Sequence, residues 1–155
     1  LSSRTGQHLW DLGAGSGSIS IEWLLSGSHM RATAVERNLK RTEIIKQNAE
    51  RLGVDWLNIV QAENLDAIET LQPPDTVFIG GGLNQELLAR LWKVVPAGTR
   101  FVANAVTVET DRALTQIQQL FGGTVCRFEI SQLQPIGQMH GWKASYPITQ
   151  WIATN

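Results

Sequence analysis

A glycine-rich turn between a short apolar run and a helical pattern constrains this chain more than any other feature. Residues 8–12 (HLWDL) indicate a buried strand, and a helical pattern begins at Ser18. Between them lies Gly13-Ala14-Gly15-Ser16-Gly17. Glycine allows a positive φ and lets a ligand approach the backbone, and the first N–H groups of the next helix have no partner within it. The order strand, glycine turn, helix predicts an open α/β sheet that holds a nucleotide-like ligand.

The glycine spacing selects among such ligands. A dinucleotide fingerprint is G-x-G-x-x-G, whereas this turn has glycines two apart, with Asp11 two residues before the first of them. This compact D-x-G-x-G-x-G form resembles motif I of class I S-adenosylmethionine-dependent methyltransferases. The alternative is a turn that serves another cofactor or none. For Asp11 two roles are open, because its carboxylate could bind the cofactor's amino group or cap the turn through its own backbone.

Strand and helix patterns alternate along the rest of the chain. Predicted strands cover 8–12, 31–35, 57–60, 75–79, 100–105, 124–133 and 141–153, and predicted helices cover 18–25, 39–52, 65–71, 84–94 and 108–121. Strands separated by helices imply a mainly parallel sheet, and the last two strands, with no helix between them, are expected to be antiparallel. The fold prediction is therefore a Rossmann-like, seven-stranded α/β sheet with a C-terminal antiparallel hairpin.

Length and composition bound the function. A chain of 155 residues with 43% apolar and 17% charged residues fits one domain, 1–155. The net charge is −1 and the basic residues are scattered, which argues against nucleic-acid binding. No apolar run approaches the roughly 20 residues that cross a bilayer. The single cysteine, Cys126, excludes an internal disulfide and fits the cytoplasm, and the histidines are too dispersed to suggest a metal.

Polar residues after the second and third strands are candidates for cofactor binding. Glu36 ends the second strand, where an acid can accept hydrogen bonds from both ribose hydroxyls; the alternative is a solvated loop charge. Arg37 could flank the adenine or lie on the surface. Glu63 and Asn64 follow the third strand, where such folds hold the adenine edge, although Glu63 could instead favour the start of a helix by its charge.

The ends of the fourth and fifth strands are candidates for the methyl acceptor. Gly80 is assigned to the cofactor's methionine end, and Gly81 and Gly82 offer a floor without side chains for a flat acceptor; the alternative is a flexible turn. The Asn/Asp-Pro-Pro-aromatic box of amino-methylating enzymes is absent here. Asn104 could hydrogen-bond an acceptor carboxylate or fix its loop. Val106 and Thr107 are assigned to the substrate side, with Thr107 also a candidate N-cap.

Together these segments resemble the decarboxylating precorrin methyltransferases of cobalamin biosynthesis. The resemblance rests on 11–18 (DLGAGSGS), 34–38 (AVERN), 77–82 (VFIGGG), 104–109 (NAVTVE), 134–142 (QPIGQMHGW) and 147–151 (PITQW). The tail is similar to the C-terminal domain of the fused C5,15 members of that family. The chain is thus expected to be the C-terminal part of a longer protein.

The resemblance implies methyl transfer from S-adenosylmethionine, giving S-adenosylhomocysteine, to carbon 15 of a precorrin, with loss of the carbon-12 acetate carboxyl group. It implies a homo-oligomer, because the single-domain members of the family are tetramers. Asn104 and His140 are the catalytic candidates, His140 as a proton handler or an ordinary loop residue. Arg100 and Arg127 either meet precorrin carboxylates or lie on the surface. The rival functions are a class I methyltransferase for another small molecule or RNA, and a noncatalytic module that binds nucleotide or precorrin.

Overall fold

The computed structural model describes residues 4–155 and contains two sheets and five helices in that range. The strands are β1 His8–Leu12, β2 Arg31–Val35, β3 Asn58–Val60, β4 Thr76–Ile79, β5 Arg100–Ala105, β6 Thr124–Phe128, β7 Ser131–Ile136, β8 Met139–Ala144 and β9 Ile148–Thr154. The helices are α1 Ser18–Leu25, α2 Leu39–Arg51, α3 Asn64–Ala67, α4 Gln85–Val94 and α5 Val108–Phe121.

The main sheet has seven strands in the order β3-β2-β1-β4-β5-β9-β6. The strands β1 to β5 run parallel to one another, and β9 runs antiparallel to both of its neighbours. The predicted seven-stranded, mainly parallel sheet is confirmed. The chain order reverses between β1 and β4, and open α/β sheets bind ligands at such a point, outside the carboxyl ends of the strands.

Helices cover the two faces of the sheet and form two apolar cores. On one face, α1 and α2 contribute Ile21, Trp23 and Ile45 to a cluster with β1 and β2. On the other face, α4 and α5 pack on the inner strands, and Phe101 and Trp151 are fully buried there. All five β1 residues are buried, as expected for a parallel strand with helices on both sides.

Helix ends follow the capping residues in the sequence. The predicted N-caps Asn38 and Thr107 accept hydrogen bonds from backbone N–H groups at the starts of α2 and α5. Asn84 is the N-cap of α4, so the helix predicted from 84 begins one residue later. The helix predicted over 65–71 is wrong in length, because α3 ends at Ala67.

The strands predicted over 124–133 and 141–153 are also wrong, because each is two strands. The first breaks after Phe128, and the second breaks between Ala144 and Ile148. The inner pieces, β7 and β8, pair only with each other in a separate two-stranded sheet, the β7–β8 hairpin (131–144). Residues 145–147 connect the two pieces, and Pro147 among them has no N–H to donate to a ladder. The two C-terminal strands of the main sheet are therefore β6 and β9, an antiparallel pair joined through the β7–β8 hairpin and not by a tight turn.

Among residues 4–155, no helix combines the length and the apolar character that a membrane crossing requires.

Candidate functional site

Two glycine turns meet backbone to backbone at the carboxyl edge of β1 and β4. Gly13 has a φ of +70°, and a Cβ there would lie 2.8 Å from both the nitrogen and the oxygen of Gly81. The N–H groups of Gly80 and Gly81 donate to the Leu12 carbonyl oxygen, at 2.9 and 3.4 Å. Real Cβ atoms do not approach backbone atoms this closely, so the contact depends on glycine at position 13. A Cβ on Gly80 would lie a tight 3.2 Å from the Gly13 oxygen, and one on Gly81 would lie at an ordinary 3.9 Å. The result is an edge whose floor is backbone rather than side chain.

Glu36 is held rigidly beside the first glycine turn. Its Oε2 atom accepts a hydrogen bond from the Gly15 N–H at 3.0 Å, and its Oε1 atom accepts one from the Asn38 N–H at 3.0 Å. The side chain is only 4% exposed. A carboxylate has about four acceptor sites, so these two bonds orient the group and leave acceptor capacity for a ligand.

The first cavity, of about 190 Å³, lies over these turns. It brings together most of the residues predicted for the cofactor and two predicted for the acceptor. The lining residues are Gly13, Glu36, Arg37, Arg41, Ala62, Glu63, Asn64, Gly80, Gly81 and Gly82. Two of them, Arg41 and Ala62, were not predicted; the signal for Arg41 was its place one turn after the Asn38 N-cap, on the helix that follows Glu36.

Polar contacts close the far side of the first cavity. Arg37 and Glu63 form an exposed ion pair with 3.4 Å between Nη1 and Oε1. The Asn64 Nδ2 atom donates to the Gly81 carbonyl oxygen at 3.1 Å, which joins the loop after β3 to the loop after β4. The triple glycine is thus joined to the loop after β3 through Asn64 and to Gly13 through backbone contact.

Asp11 points into the protein below the first glycine turn. Its Oδ2 atom accepts hydrogen bonds from the Ser20 N–H at 3.1 Å and the Ser20 hydroxyl at 2.7 Å. Its Oδ1 atom is buried and has no partner among the described residues. Burial raises the pKa of Asp11 to about 6; the bonds from Ser20 oppose this shift and the negative charge of Glu36 adds to it. In this structure Asp11 ties β1 to α1.

The other turn residues shape the backbone. Gly17 has a φ of +79°, and a Cβ there would lie 2.8 Å from Ile45 Cγ2, so its lack of a side chain lets α1 approach α2. The Ser16 hydroxyl lies 2.8 Å from the hydroxyl of Ser18. The Ala14 N–H donates to the Val35 carbonyl oxygen at 3.0 Å. None of these three residues lines the first cavity.

The second cavity, of about 150 Å³, lies at the carboxyl end of β5. Val106 and Thr107, both predicted for the substrate, line it together with Arg127. Asn104 is nearby on β5 but does not line the cavity, and its Oδ1 atom accepts a hydrogen bond from Gln150 Nε2 at 2.9 Å.

The structure does not bring the remaining candidates to either cavity. His140 is exposed on β8 in the β7–β8 hairpin and lines neither of them. Arg100 begins β5 at the opposite, amino edge of the sheet, where its Nη2 atom donates to Gln7 and Thr76 at 2.8 and 2.9 Å. Arg100 therefore lies away from both cavities.

A known protein family matches the chain over its whole length. The family model described as precorrin methyltransferase domain matches residues 1–155. The chain belongs to this family.

Individual relatives give the degree of similarity. A precorrin-6Y C(5,15)-methyltransferase [decarboxylating] of Sinorhizobium sp is 40% identical over an alignment of 155 residues that covers 99% of this chain and 38% of that protein. A cobalt-precorrin-6B C(15)-methyltransferase (decarboxylating) of Salmonella typhimurium is 30% identical over 149 residues, covering 91% of this chain and 75% of that protein. This methyltransferase domain thus spans less than two fifths of the Sinorhizobium relative.

A solved structure shows the same fold. The crystal structure of the C-terminal domain of precorrin-6Y C5,15-methyltransferase from Rhodobacter capsulatus has a TM-score of 0.93 and 44% sequence identity, and the match covers 100% of this chain and 84% of that one. The class I methyltransferase fold predicted for this domain is confirmed. Over residues 4–155, no three His, Cys, Asp or Glu side chains gather as a metal site would need.

Proposed function

We propose that this domain methylates carbon 15 of a precorrin with S-adenosylmethionine and removes the carboxyl group of the carbon-12 acetate side chain. The observation that carries the proposal is the first cavity, where two glycine turns in backbone contact adjoin a fixed, buried carboxylate, in a chain of the precorrin methyltransferase domain family. The rival functions, another small molecule, RNA or a noncatalytic module, have no comparable support.

The residues of the first cavity fit S-adenosylmethionine. Glu36 retains acceptor capacity after binding two N–H groups, which suits the two hydroxyls of a ribose. Gly13, Gly80 and Gly81 leave backbone at the surface, so no side chain blocks a ligand there. We assign Arg37, Glu63 and Asn64 to the adenine side. We propose that Asp11, Ala14, Ser16 and Gly17 contribute to cofactor binding by holding the backbone of the first glycine turn in place.

The chemistry asks little of the protein as an acid, base or nucleophile. Bound S-adenosylmethionine supplies a methyl group without its bonding electrons and leaves as S-adenosylhomocysteine. The electron pair released as carbon dioxide departs can, through the conjugated macrocycle, balance the new carbon–carbon bond, in either order of the two steps. The chain's own work is then to align the acceptor carbon and to manage one proton. We propose His140 for the proton, and for Asn104 a hydrogen bond to an acceptor carboxylate.

Further properties of the whole protein are proposals as well. We propose that the domain is the C-terminal part of a longer protein, as the partial coverage of the Sinorhizobium relative suggests. We propose self-association, because the β7–β8 hairpin exposes large apolar side chains, among them Met139 and Trp142. We propose a cytoplasmic location, because the chain has a single cysteine. We propose that the protein does not bind nucleic acid, because its net charge is −1 and its basic residues are scattered.

The test combines ligand binding with product analysis. We expect calorimetry to show S-adenosylmethionine binding. We also expect mass spectrometry of a precorrin incubated with the domain and S-adenosylmethionine to show one added methyl group and one lost carboxyl group. Binding of NAD in place of S-adenosylmethionine would contradict the cofactor, and an unchanged precorrin beside normal cofactor binding would point to a noncatalytic module.

A further inference from the structure

The second cavity lies on the same edge of the sheet as the first. Ala105 of β5 pairs with Thr149 of β9, and Thr149 pairs with Arg127 of β6, so these three residues form one row across the sheet. Neighbouring strands lie about 4.8 Å apart, which places β6 roughly 14 Å from β4, where the triple glycine begins. A flat ligand that starts over the triple glycine and follows the edge of the sheet therefore reaches the second cavity with its far side.

One wall of the second cavity is apolar and the other is charged. Val106, Val108 and Pro147 supply the apolar wall, and both valines are largely exposed. Asp111 and Arg127 supply the charged wall. A ligand that suits both walls carries a carboxylate next to a hydrocarbon surface, as the acetate and propionate side chains of a tetrapyrrole do.

Arg127 is held in place from two sides. Its Nη2 atom donates to Asp111 Oδ2 at 2.7 Å, and its Nε atom donates to Thr149 Oγ1 at 3.3 Å. The guanidinium group has five N–H donors in a fixed plane. Within residues 4–155 these two bonds use two of the five, so donors remain for a second carboxylate. The Arg127 side chain is 54% exposed, which leaves it accessible.

The charge on Asp111 is secured by the same contacts. Hydrogen bonds from Thr149 and then from Arg127 lower the pKa of Asp111, so this carboxylate is ionised and keeps the guanidinium oriented. A half-exposed ion pair adds little to stability, typically about 0–1 kcal/mol. Fold stability alone is therefore a weak reason for three polar side chains from α5, β6 and β9 to converge at a cavity.

We propose that Arg127 binds a peripheral carboxylate of the tetrapyrrole and so fixes which side of the macrocycle faces β6. This inference rests on the proposed function and adds a specificity-determining residue to it. Asp111 and Thr149 are positioning residues, because they act through the guanidinium group of Arg127.

Steady-state kinetics of the R127Q and R127K variants with a precorrin test the proposal. We expect KM for the precorrin to rise roughly tenfold to a hundredfold in R127Q, the range for loss of a charge-assisted hydrogen bond, while kcat and the affinity for S-adenosylmethionine stay close to wild type. R127K keeps the charge but loses the planar fork, so its KM should lie between the two. Arg112, an exposed neighbour on α5, provides the matched control R112Q, with unchanged KM.

A binding experiment separates failure of this proposal from failure of the proposed function. Tryptophan fluorescence is titrated with uroporphyrin, a planar tetrapyrrole with acetate and propionate groups, and with its methyl ester. The wild-type domain should prefer the free acid, and R127Q should lose most of that preference. An unchanged preference in a folded R127Q variant would overturn the inference. It would also be overturned if R127Q and D111N, which each remove one partner of the ion pair, lowered the free energy of unfolding equally while KM for the precorrin stayed at the wild-type value. A wild-type domain that binds uroporphyrin but transfers no methyl group from S-adenosylmethionine to a precorrin would instead overturn the proposed function.

Discussion

At the scale of single residues, Glu36 should dominate the affinity for S-adenosylmethionine. In the E36Q variant the carboxylate that accepts from the Gly15 and Asn38 N–H groups becomes an amide with one acceptor oxygen. We expect the affinity to fall roughly tenfold to a hundredfold, because hydrogen bonds to charged groups contribute about 1.5–3 kcal/mol each. Isothermal calorimetry measures this loss.

Glu63 provides the matched control for that prediction. It lines the same cavity, but its side chain is 61% exposed and its partner Arg37 is 74% exposed. Solvent screens such a pair, so E63Q should weaken binding only about twofold or less. Equal losses in E36Q and E63Q would contradict the special position of Glu36.

Asp11 should make stability depend on pH in a direction opposite to that of most carboxylates. Its folded pKa of about 6 lies above the ordinary value of 3.8, so the folded chain binds the proton more tightly than the unfolded chain. This contribution to the free energy of unfolding is complete below about pH 4 and is lost as the pH rises through 6, by roughly 3 kcal/mol in all. In D11N, where residue 11 does not titrate, the loss should disappear.

Urea denaturation of wild type and D11N at pH 4, 5, 6 and 7 measures that difference. The stability of D11N relative to wild type should increase between pH 4 and 6, whatever other carboxylates contribute to both proteins. Parallel pH curves for the two proteins would show that Asp11 does not carry a raised pKa.

The sequence allowed Glu36 to be placed but not Asp11 to be oriented. Glu36 follows the last residue of a strand, so the sheet itself determines which edge it occupies. Asp11 lies inside β1, where neighbouring side chains point to opposite faces, and the spacing alone does not say whether its carboxylate meets the ligand or Ser20. Contacts between distant segments, such as Asn64 with Gly81, were equally beyond the local pattern.

At the scale of elements, the contact between the two glycine turns should be sensitive to a single methyl group. G13A introduces a Cβ 2.8 Å from the Gly81 backbone as well as the strain of a φ of +70°. G15A introduces comparable strain at a φ of +62°, but nothing lies within 4 Å of its Cβ. We expect G13A to lower the free energy of unfolding by about 1–3 kcal/mol more than G15A does, the usual cost of overpacking.

Urea denaturation of the two variants isolates the effect of the contact, because the backbone strain is common to both. Similar decreases in the free energy of unfolding in G13A and G15A would mean that the two turns can move apart at little cost. The floor of the first cavity would then be deformable.

The elements themselves were predictable where the local signals were strong. Strands β1, β2 and β5 lie at the predicted residues, and α5 begins after the predicted Thr107 cap, because alternating apolar runs and N-caps are local properties. The β7–β8 hairpin was not predictable, since residues 124–133 keep a strand-like alternation through the break at Glu129 and Ile130. Whether a strand pairs within the main sheet or in a separate hairpin depends on tertiary contacts, which the local alternation does not specify.

At the scale of the whole molecule, the sheet order places both cavities along one edge. Motifs separated by up to about a hundred residues in the chain meet because parallel strands end on the same side. The first cavity lies over β1, β2 and β4, and the second lies over β5, β9 and β6. Two cavities side by side along one edge can hold a substrate that is wider than either cavity. The proposed precorrin macrocycle is a substrate of that kind.

The β7–β8 hairpin should mediate the proposed self-association. Leu133 and Trp142 face each other across its two strands, and Trp142 is 74% exposed. A patch of this kind usually covers a partner surface, so W142E, which places a charge in it, should reduce the assembly to smaller species. Light scattering after size exclusion measures the molar mass of wild type and variant over a range of protein concentrations. Trp56 is 62% exposed in the main body of the domain, and W56E, with the same change in size and charge, should leave the mass unchanged. A monomeric wild type, or a W142E variant that assembles like wild type, would contradict the role of the hairpin.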